Sequence, residues 1–446
     1  MIRKLTSTFL IIAAAAVFAL SQTPIQHAPA ADTHLKYLDQ ANGRTVEEMV
    51  NTALENHPEI AALRSEAAAA RELLRQAKLR ANPSLELSGT QQLGGQDRSL
   101  MVEGGLPLEL AGRRGARIRI AEAEIEIRSY ALAERERQLA YDVRLKFGEA
   151  LASAHKLRFA EQMLAEEETN FHLVAAMVAE GRRPPLEQSQ ETVELNRLRA
   201  MREMAEGTVE QRMFELRNLA GMSPEEPLRI RGDFESLLDS LPDRSGATMS
   251  ALQTRPDLLG ARAVEKLAAA RTDQARAEGR IDAELMLGYQ RMKTGFPVSG
   301  IDDAGMLMPI EMRSNVFTFG VRLMLPVRNR NQGLIAASEL EEEAARKRRE
   351  FGELTIRREV AAAYARYERA ARAMQIYKAG VREPAAANLG VIRQTYELGS
   401  KTLLDYISEH HRYIDVENGY IDAAFETYSA RAELLRAAGT SQLTDK

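Results

Sequence analysis

Two short runs of the sequence carry the residues best suited to chemistry. Each begins with a glycine inside a long charged stretch and ends, six residues later, with a carboxylate. The runs are Gly181-Arg182-Arg183-Pro184-Pro185-Leu186-Glu187 and Gly399-Ser400-Lys401-Thr402-Leu403-Leu404-Asp405. A carboxylate just after a helix-ending glycine falls in the first turn of the next helix, where the helix dipole stabilises it. The runs predict two helical hairpin tips, with Glu187 and Asp405 as the acids of interest.

The glycines and leucines of these runs have a plain structural interpretation. Gly181 and Gly399 end helices, and Leu186, Leu403 and Leu404 pack the tips. Because a side chain at a tip is also within reach of another protein, the same five residues are candidates for a docking surface.

No pattern typical of an enzyme accompanies these residues. The chain has no Cys, which excludes thiolate nucleophiles, thiolate metal sites and disulfides. It contains no Walker, H-E-x-x-H or G-x-S-x-G motif. His410 and His411 are neighbours on a predicted helix, so they point in different directions and are not expected to share a metal. We therefore predict that the protein is not an enzyme and needs no cofactor.

Met306, Met308 and Met312 form a cluster of soft ligands. They lie in a stretch rich in Gly, Asp and Met that predicts a loop over about 293–313. Thioethers bind Cu(I) and Ag(I), but flexible apolar loop residues are the simpler interpretation. The sequence leaves metal binding here open.

Composition favours long helices and argues against nucleic acid. Charged residues make up 28% of the 446 residues and aromatic residues 5%. The net charge of −4 has both signs interspersed, which does not favour nucleic-acid binding. Abundant Ala, Glu, Arg and Leu are typical of long helices.

Residues 1–31 are typical of a signal peptide. Arg3 and Lys4 precede an apolar run from Phe9 to Leu20, and small residues follow. The run is shorter than a membrane-spanning helix requires. We predict export, the alternative being an N-terminal membrane anchor.

The longest predicted element is a helix from about Gly112 to Glu180, roughly 100 Å long at 1.5 Å per residue. Its apolar residues recur every seven positions, which predicts left-handed packing along other helices. This seam comprises Val143, Ala150, Leu157 and Leu164, with Ala140, Phe147 and Ala154 as second positions. A similar seam follows about Gln332 and comprises Val360, Tyr367, Met374 and Val381.

The second half of the chain repeats the first, since the run at Ala53–Glu59 returns at Ala251–Asp257. Each copy predicts a short helix, two strands and a long helical hairpin. The predicted organisation is a first repeat (32–221), a connector (222–247), a second repeat (248–439) and a tail (440–446).

Alternating apolar and polar residues predict two strands in each repeat. These lie near Leu85–Gly89, Leu100–Leu106, Glu284–Tyr289 and Phe317–Leu325. The one-sided face of the last strand suits lipid as well as it suits a soluble sandwich. Four strands cannot close a barrel, and open edges are not tolerated in lipid. Either the strands lie outside a membrane or several chains share one barrel.

Three features together resemble one known family. They are the duplication with its tip glycines, the helix starts His57-Pro58-Glu59 and Arg255-Pro256-Asp257, and the run Leu325-Pro326-Val327-Arg328-Asn329-Arg330-Asn331-Gln332-Gly333. From about Thr45 to Gly439 the chain resembles the TolC-type outer-membrane efflux channels. The last run looks like the helix start of the heavy-metal, cobalt–zinc–cadmium-type branch.

The resemblance implies a mostly α fold with a small β part. Three chains would share a twelve-stranded outer-membrane β-barrel, continuous with a long periplasmic α-helical barrel. The implied function is a passive exit duct in the bacterial outer membrane. Its substrates, expected to be heavy-metal cations, would come from an RND-type inner-membrane pump through a periplasmic adaptor. Many relatives carry an acylated N-terminal Cys; without one, this chain is expected to be unlipidated and held by outer-membrane lipid around the barrel.

The resemblance also assigns roles at the tips. Asp405 matches a carboxylate that lines the closed periplasmic aperture, where three copies would form an acidic ring that attracts cations. Tyr396 and Glu187 match residues that link neighbouring helices when the aperture is shut. Lys401 matches a residue of a second link, but the usual hydroxyl partner falls at Leu186, which has none.

The sequence also leaves two other classes of protein open. A periplasmic adaptor also carries helical hairpins, but it places one hairpin between β-domains rather than repeating a whole unit. A structural coiled-coil protein would not need the predicted strands.

Overall fold

The fold is mostly helical with one small antiparallel sheet, as predicted. A computed structural model describes residues 36–237 and 243–439. The predicted signal peptide (1–31), the tail (440–446) and part of the connector (238–242) lie outside the described residues.

The helices and strands follow the same order twice. The first set is α1 (Val46–Asn56), α2 (Pro58–Lys78), β1 (Ser84–Gln91), β2 (Arg98–Pro107), α3 (Arg113–Ala179) and α4 (Pro185–Leu219). The second set is α5 (Arg244–Thr254), α6 (Pro256–Glu278), β3 (Asp282–Ile301), β4 (Leu307–Met324), α7 (Gln332–Gln375), a π-helical segment (Ile376–Arg382), α8 (Glu383–Glu397) and α9 (Leu403–Ala438). Helix α5 is the counterpart of α1 in the second repeat, but it begins inside the predicted connector (222–247).

Local sequence explains where the helices begin. Thr45 accepts a hydrogen bond from the backbone of Glu48 while the Glu48 side chain accepts one from the backbone of Thr45, as the predicted capping box requires. Pro58, Pro185 and Pro256 each occupy the first turn of a helix, where a missing N–H has no cost.

Helix α3 supplies the main core. All seven predicted seam residues, from Ala140 to Leu164, are buried, and Val143, Phe147 and Leu157 are fully so. Six of them pack against α1, α4 and α9 in one apolar cluster, and Leu164 packs in a second cluster with residues of α4 and α9. The heptad pattern of α3 therefore identified its buried face correctly.

The second hairpin departs from its predicted continuous seam. Residues Ile376–Arg382 form a π-helical segment between α7 and α8, and Val381 inside it is only half-buried. Pro384 lies just beyond and has no N–H to donate to the preceding turn, which favours a local widening of the helix.

All four strands form one sheet in the order β1-β2-β3-β4. The pairing of β2 with β3 joins the two halves of the chain, and β1 and β4 are its edges. One row of residues runs across all four strands in register and therefore shares one side of the sheet: Leu87, Val102, Tyr289 and Phe317. We call this side the apolar face; its large side chains are exposed, Phe319 to 83%.

The opposite side, the polar face, carries Ser, Thr and charged residues. Arg322 on β4 forms an ion pair of 2.9 Å with Glu284 on β3 and lies 4.0 Å from Glu103 on β2. One face of the sheet thus pairs its charges while the other presents exposed apolar side chains.

The predicted loop over 293–313 is wrong. Strand β3 continues to Ile301 and β4 begins at Leu307, so only a short turn separates them. Met306 lies in that turn, whereas Met308 and Met312 belong to β4. Gly and Pro in this stretch are accommodated by an irregular register between Gly295 and Ser299, which composition alone does not reveal.

Within the described ranges, no helix combines the length and the apolar character needed to cross a bilayer.

Gly148 marks a close crossing of α3 and α9. A Cβ built on Gly148 would lie 2.6 Å from Cε1 of Tyr428 and 3.2 Å from Cε2 of Phe425. The Tyr428 hydroxyl, in turn, donates to the carbonyl oxygen of Arg144 at 3.2 Å. The glycine therefore lets the tyrosine pack directly against the backbone of α3.

We predict that Gly148→Val destabilises the protein by about 1–3 kcal/mol, because the added methyl groups displace Tyr428. The free energy of unfolding can be measured by urea titration followed by circular dichroism. Gly207→Val in α4 is the matched control, since a Cβ there meets no atom within 4 Å. Equal stabilities of the two variants would contradict the close crossing.

Candidate functional site

The two tips are built by the same backbone device. Gly181 has φ 72° and Gly399 has φ 76°, left-handed values that favour glycine. Beyond each glycine, a backbone N–H closes the helix end: Arg182 donates to the carbonyl of Met177, and Ser400 to that of Thr395, both at 2.9 Å. This arrangement is a Schellman motif. Both glycines thus act as helix stops, and a side chain at either position would strain the turn.

Tyr396 and Glu187 meet across the tips. The Tyr396 hydroxyl donates to Oε2 of Glu187 at 3.4 Å, which joins the end of α8 to the start of α4. Arg183 completes the contact: its guanidinium lies 3.2 Å from the Glu187 carboxylate, donates to the Tyr396 carbonyl at 3.2 Å and covers the Tyr396 ring at 4.6 Å. Three groups from two hairpins therefore form one connection.

Sequence reasoning missed Arg183, although a signal was present. Arg183 precedes Glu187 by four residues, the spacing at which oppositely charged side chains meet on a helix. Because the side chains of both are less than a fifth exposed, the pair is better shielded from solvent than a typical surface ion pair.

Tyr396 keeps its proton at physiological pH. It is 4% exposed, and burial raises its pKa to about 12. A protonated phenol can only donate toward a carboxylate, so Glu187 is held as an acceptor. The Tyr396 ring also stacks on Tyr406 of α9 at 5.8 Å, which fixes its orientation.

Asp405 is exposed and already engaged in capping α9. Its Oδ2 accepts from the backbone N–H of Thr402 at 3.0 Å and from the Thr402 hydroxyl at 2.9 Å. These hydrogen bonds hold the pKa of Asp405 below its usual value. The carboxylate is therefore ionised at the tip, and only Oδ1 is free of the cap among the hydrogen bonds of the described residues.

The other predicted tip residues divide by exposure. Lys401, Leu186 and Leu404 are exposed, the two leucines to 66% and 59%. Leu403 is 3% exposed and packs with Tyr396 and Tyr406, so it stabilises the tip from inside and is unavailable for docking, contrary to the prediction. No ion pair of Lys401 occurs in the part of the chain that the structure describes.

A column of stacked rings leads from the tip into the helices. Tyr406 stacks on Tyr396 on one side and on His410 on the other, at 5.8 and 5.7 Å with nearly parallel planes. Nδ1 of His410 then lies 4.0 Å from Oε2 of Glu167 on α3. The neighbouring His411 turns the other way and contacts Glu194 on α4 at 2.8 Å, so the two histidines do not converge.

Glu167 and Glu191 form a buried pair that sequence reasoning did not foresee. They are 1% and 0% exposed, and Asn170 donates to Oε1 of Glu191 at 3.0 Å. Among the described residues, neither oxygen of Glu167 receives an N–H or O–H donor. Burial first, and then the neighbouring Glu191, raises the pKa of Glu167 to about 9; burial also raises that of Glu191. The proton that Glu167 keeps can therefore be donated to Glu191 in a hydrogen bond between the two carboxyl groups.

Over residues 36–237 and 243–439, no three His, Cys, Asp or Glu side chains are placed to hold a metal ion.

The sequence profile of the outer membrane efflux proteins matches residues 49–222 and 248–440. The chain belongs to the outer membrane efflux protein family. The members of this family are channels rather than enzymes. A comparison with curated protein sequences found no significant match.

Solved structures confirm the fold. CusC superposes with a TM-score of 0.72 at 17% identity, with 88% of this chain and 92% of CusC covered. The open-state MtrE channel of Neisseria gonorrhoeae has a TM-score of 0.70 at 18% identity, with 89% of each chain covered. VceC of Vibrio cholerae has a TM-score of 0.65 at 16% identity, with 92% of this chain and 99% of VceC covered.

The buried pair makes stability depend on pH. Folded Glu167 keeps its proton up to pH about 9, whereas its ordinary pKa is 4.5. The folded state therefore binds more protons between these values, and stability falls as pH rises. Burial lowers the pKa of His410 from 6.5 to about 4, which has the opposite effect below pH 6.5. Above pH 6.5 His410 no longer changes its protonation, so only the effect of Glu167 on stability is left.

We therefore expect stability to fall by on the order of 1 kcal/mol per pH unit between about pH 7 and 9, and Glu167→Gln to flatten this slope. Urea titrations of the detergent-solubilised protein at several pH values measure it. Glu168→Gln is the control, because Glu168 is partly exposed and paired with Arg199 at 3.1 Å. An unchanged slope in Glu167→Gln would exclude the buried carboxyl as the cause.

Proposed function

We propose that the protein is the outer-membrane channel of a tripartite efflux system. Three chains would form a passive exit duct that receives substrate from an RND-type inner-membrane pump through a periplasmic adaptor. Membership of the outer membrane efflux protein family supports this assignment over the adaptor and coiled-coil alternatives.

The sheet is the observation that carries the proposal. Its apolar face exposes Leu87, Phe317 and Phe319 to solvent in the single chain, and both of its edges are unpaired. A bilayer tolerates such a face but not such edges. Three copies that pair β1 of one chain with β4 of the next would remove every edge and close a barrel of twelve strands.

In this assembly the polar face would line the lumen and the hairpins would extend into the periplasm. Helix α3 alone has 67 residues, a length of about 100 Å. The tips would then meet around the threefold axis, far from the membrane, where Glu187, Tyr396 and Asp405 would form the periplasmic aperture. The exposed Leu186 and Leu404, with the turns at Gly181 and Gly399, would face the adaptor.

We propose the Tyr396–Glu187 contact, supported by Arg183, as the lock that keeps the aperture closed. Asp405 would add a ring of three carboxylates to the lumen, and Lys401 lies four residues before it in sequence. Like charges on a threefold axis attract cations and oppose a fully closed ring.

Heavy-metal cations are the proposed substrate. The run Leu325–Gly333 resembles the heavy-metal branch, and the sheet adds a second observation. All six methionines within the strands lie on the polar face: Met101, Met286, Met292, Met308, Met312 and Met324. Thioethers facing a duct would offer soft, exchangeable ligands to cations such as Cu(I).

We expect the double variant Tyr396→Phe/Glu187→Gln to raise single-channel conductance in planar bilayers, because it removes the link between the hairpins. Tyr413→Phe is the control: this tyrosine packs edge-on against Phe159 and its hydroxyl has no partner among the described hydrogen bonds. Unchanged conductance in the double variant would contradict the lock. A protein that is monomeric and stays out of membranes would contradict the channel itself.

Deleting the gene should sensitise the host to zinc, cobalt, cadmium, copper or silver more than to dyes and detergents. Growth inhibition assays with the wild-type gene restored as control measure the difference. Sensitivity to dyes and detergents alone would leave the channel intact but remove the metal substrate.

A further inference from the structure

Basic side chains interrupt the apolar face near one end of the sheet. Arg98 on β2, Lys293 on β3 and Arg313 on β4 lie directly opposite one another in register. Arg291 lies two residues from Lys293 and therefore on the same side. Opposed residues on adjacent strands have Cβ atoms about 5 Å apart, so the four cations form one compact band.

Most of this charge is unpaired. Lys293 forms an ion pair with Glu311. In the described part of the chain, no ion pair involves Arg98, Arg291 or Arg313, and all three are exposed. On the polar face, by contrast, Arg322 is paired with Glu284. A groove of about 340 Å³ runs along the band, and its lining includes the four basic residues.

The band lies at the end of β2 that is far from the helices, and the hairpin of β3 and β4 continues beyond it to Ile301 and Leu307. Arg98 is the first residue after the turn between β1 and β2, whereas the opposite ends of these strands connect to α2 and α3. Tyr289 and Phe317, with rings 5.1 Å apart, lie on the side of the band toward the helices, followed by Leu287 and Phe319. Between the helices and the band, the face changes from aliphatic to aromatic to cationic, the order typical of a membrane boundary.

We infer that this band binds the phosphate of a lipid headgroup in the outer leaflet. The guanidinium groups of Arg98, Arg291 and Arg313 would contact the phosphate oxygens, and the apolar residues beside them would lie along the acyl chains. The inference rests on the proposed function, in which the apolar face of a shared barrel meets lipid. A lipid fits both halves of the surface, because it joins an anionic group to long apolar chains.

The absence of Trp from the chain allows a direct test. Leu100 is 56% exposed and lies opposite Arg291, so Leu100→Trp adds a single fluorophore beside the band without removing core packing. The protein is reconstituted in phosphatidylcholine vesicles that contain either brominated phosphatidylcholine or brominated phosphatidic acid at equal mole fraction. Bromine quenches Trp on contact, so the ratio of the two quenching efficiencies reports the preference for the phosphate headgroup.

We expect phosphatidic acid to be preferred about fivefold or more, the effect of one or more cations near an anionic headgroup. Arg291→Gln/Arg313→Gln in the same background should bring the ratio close to one. Arg328→Gln/Arg330→Gln, which removes the same charge at the opposite end of β4, should leave it unchanged.

The experiment distinguishes a failure of the proposed function from a failure of the lipid site. Absence of quenching by either lipid would mean that the sheet is not in the bilayer and would overturn the proposed function. Equal quenching by both lipids would preserve the channel and overturn the lipid site. Loss of the preference in inorganic phosphate, but not in chloride of equal ionic strength, would indicate a site for free anions instead of a lipid.

Discussion

The two edges of the sheet, β1 and β4, each present a row of backbone N–H and C=O groups that pair with no other strand among the described residues. In water these groups bind solvent, but in lipid each unpaired group costs several kcal/mol. The exposed apolar face makes water equally unsuitable for this sheet. A single chain therefore has no environment that satisfies both its edges and its face, whereas a closed ring of copies has one. The proposed shared barrel meets that requirement.

The two hairpins contribute differently to the tip contact. The first supplies Arg183, which precedes α4, and Glu187 in the first turn of α4, and these two already form an ion pair. The second supplies Tyr396, whose ring is held by Tyr406 and by the His410 column behind it. If the contact between the hairpins broke, Glu187 would still form its ion pair with Arg183 on the same hairpin. The tyrosine, by contrast, would lose a hydrogen bond and a cation above its ring.

Sequence predicted those parts of the fold whose signals are local. The capping box at Thr45, the proline helix starts and the heptad seam of α3 depend on residues within one or two turns, and the structure has them where expected. The outer part of β3 and β4 was missed because its Gly and Pro residues are typical of loops, and only pairing with the partner strand makes them extended. The π-helical segment was missed because its cause, Pro384, was not weighed against a strong periodic pattern.

The candidate site shows the same division. Glu187 and Asp405 were singled out by their spacing from the tip glycines and Tyr396 by family resemblance. Arg183 and the Glu167–Glu191 pair, in contrast, depend on contacts between helices. Nothing in the neighbourhood of Glu167 along the chain distinguishes it from the solvated glutamates on the same helix. Its burial is decided by α4 and α9, so pattern alone could not have identified it.

The length of α3 sets both the distance and the rotation between the sheet and the tip. One inserted residue would lengthen this helix by about 1.5 Å and turn everything beyond it by about 100°. Arg183 would then no longer face Tyr396, although no contact residue had changed. The second hairpin has a place to absorb such an error, because a π-helical turn accommodates one extra residue within its own circumference. An inserted residue should therefore disturb the tip contact less between Ile376 and Arg382 than in α3, so the rotational phase of the long helices matters as much as their contact residues.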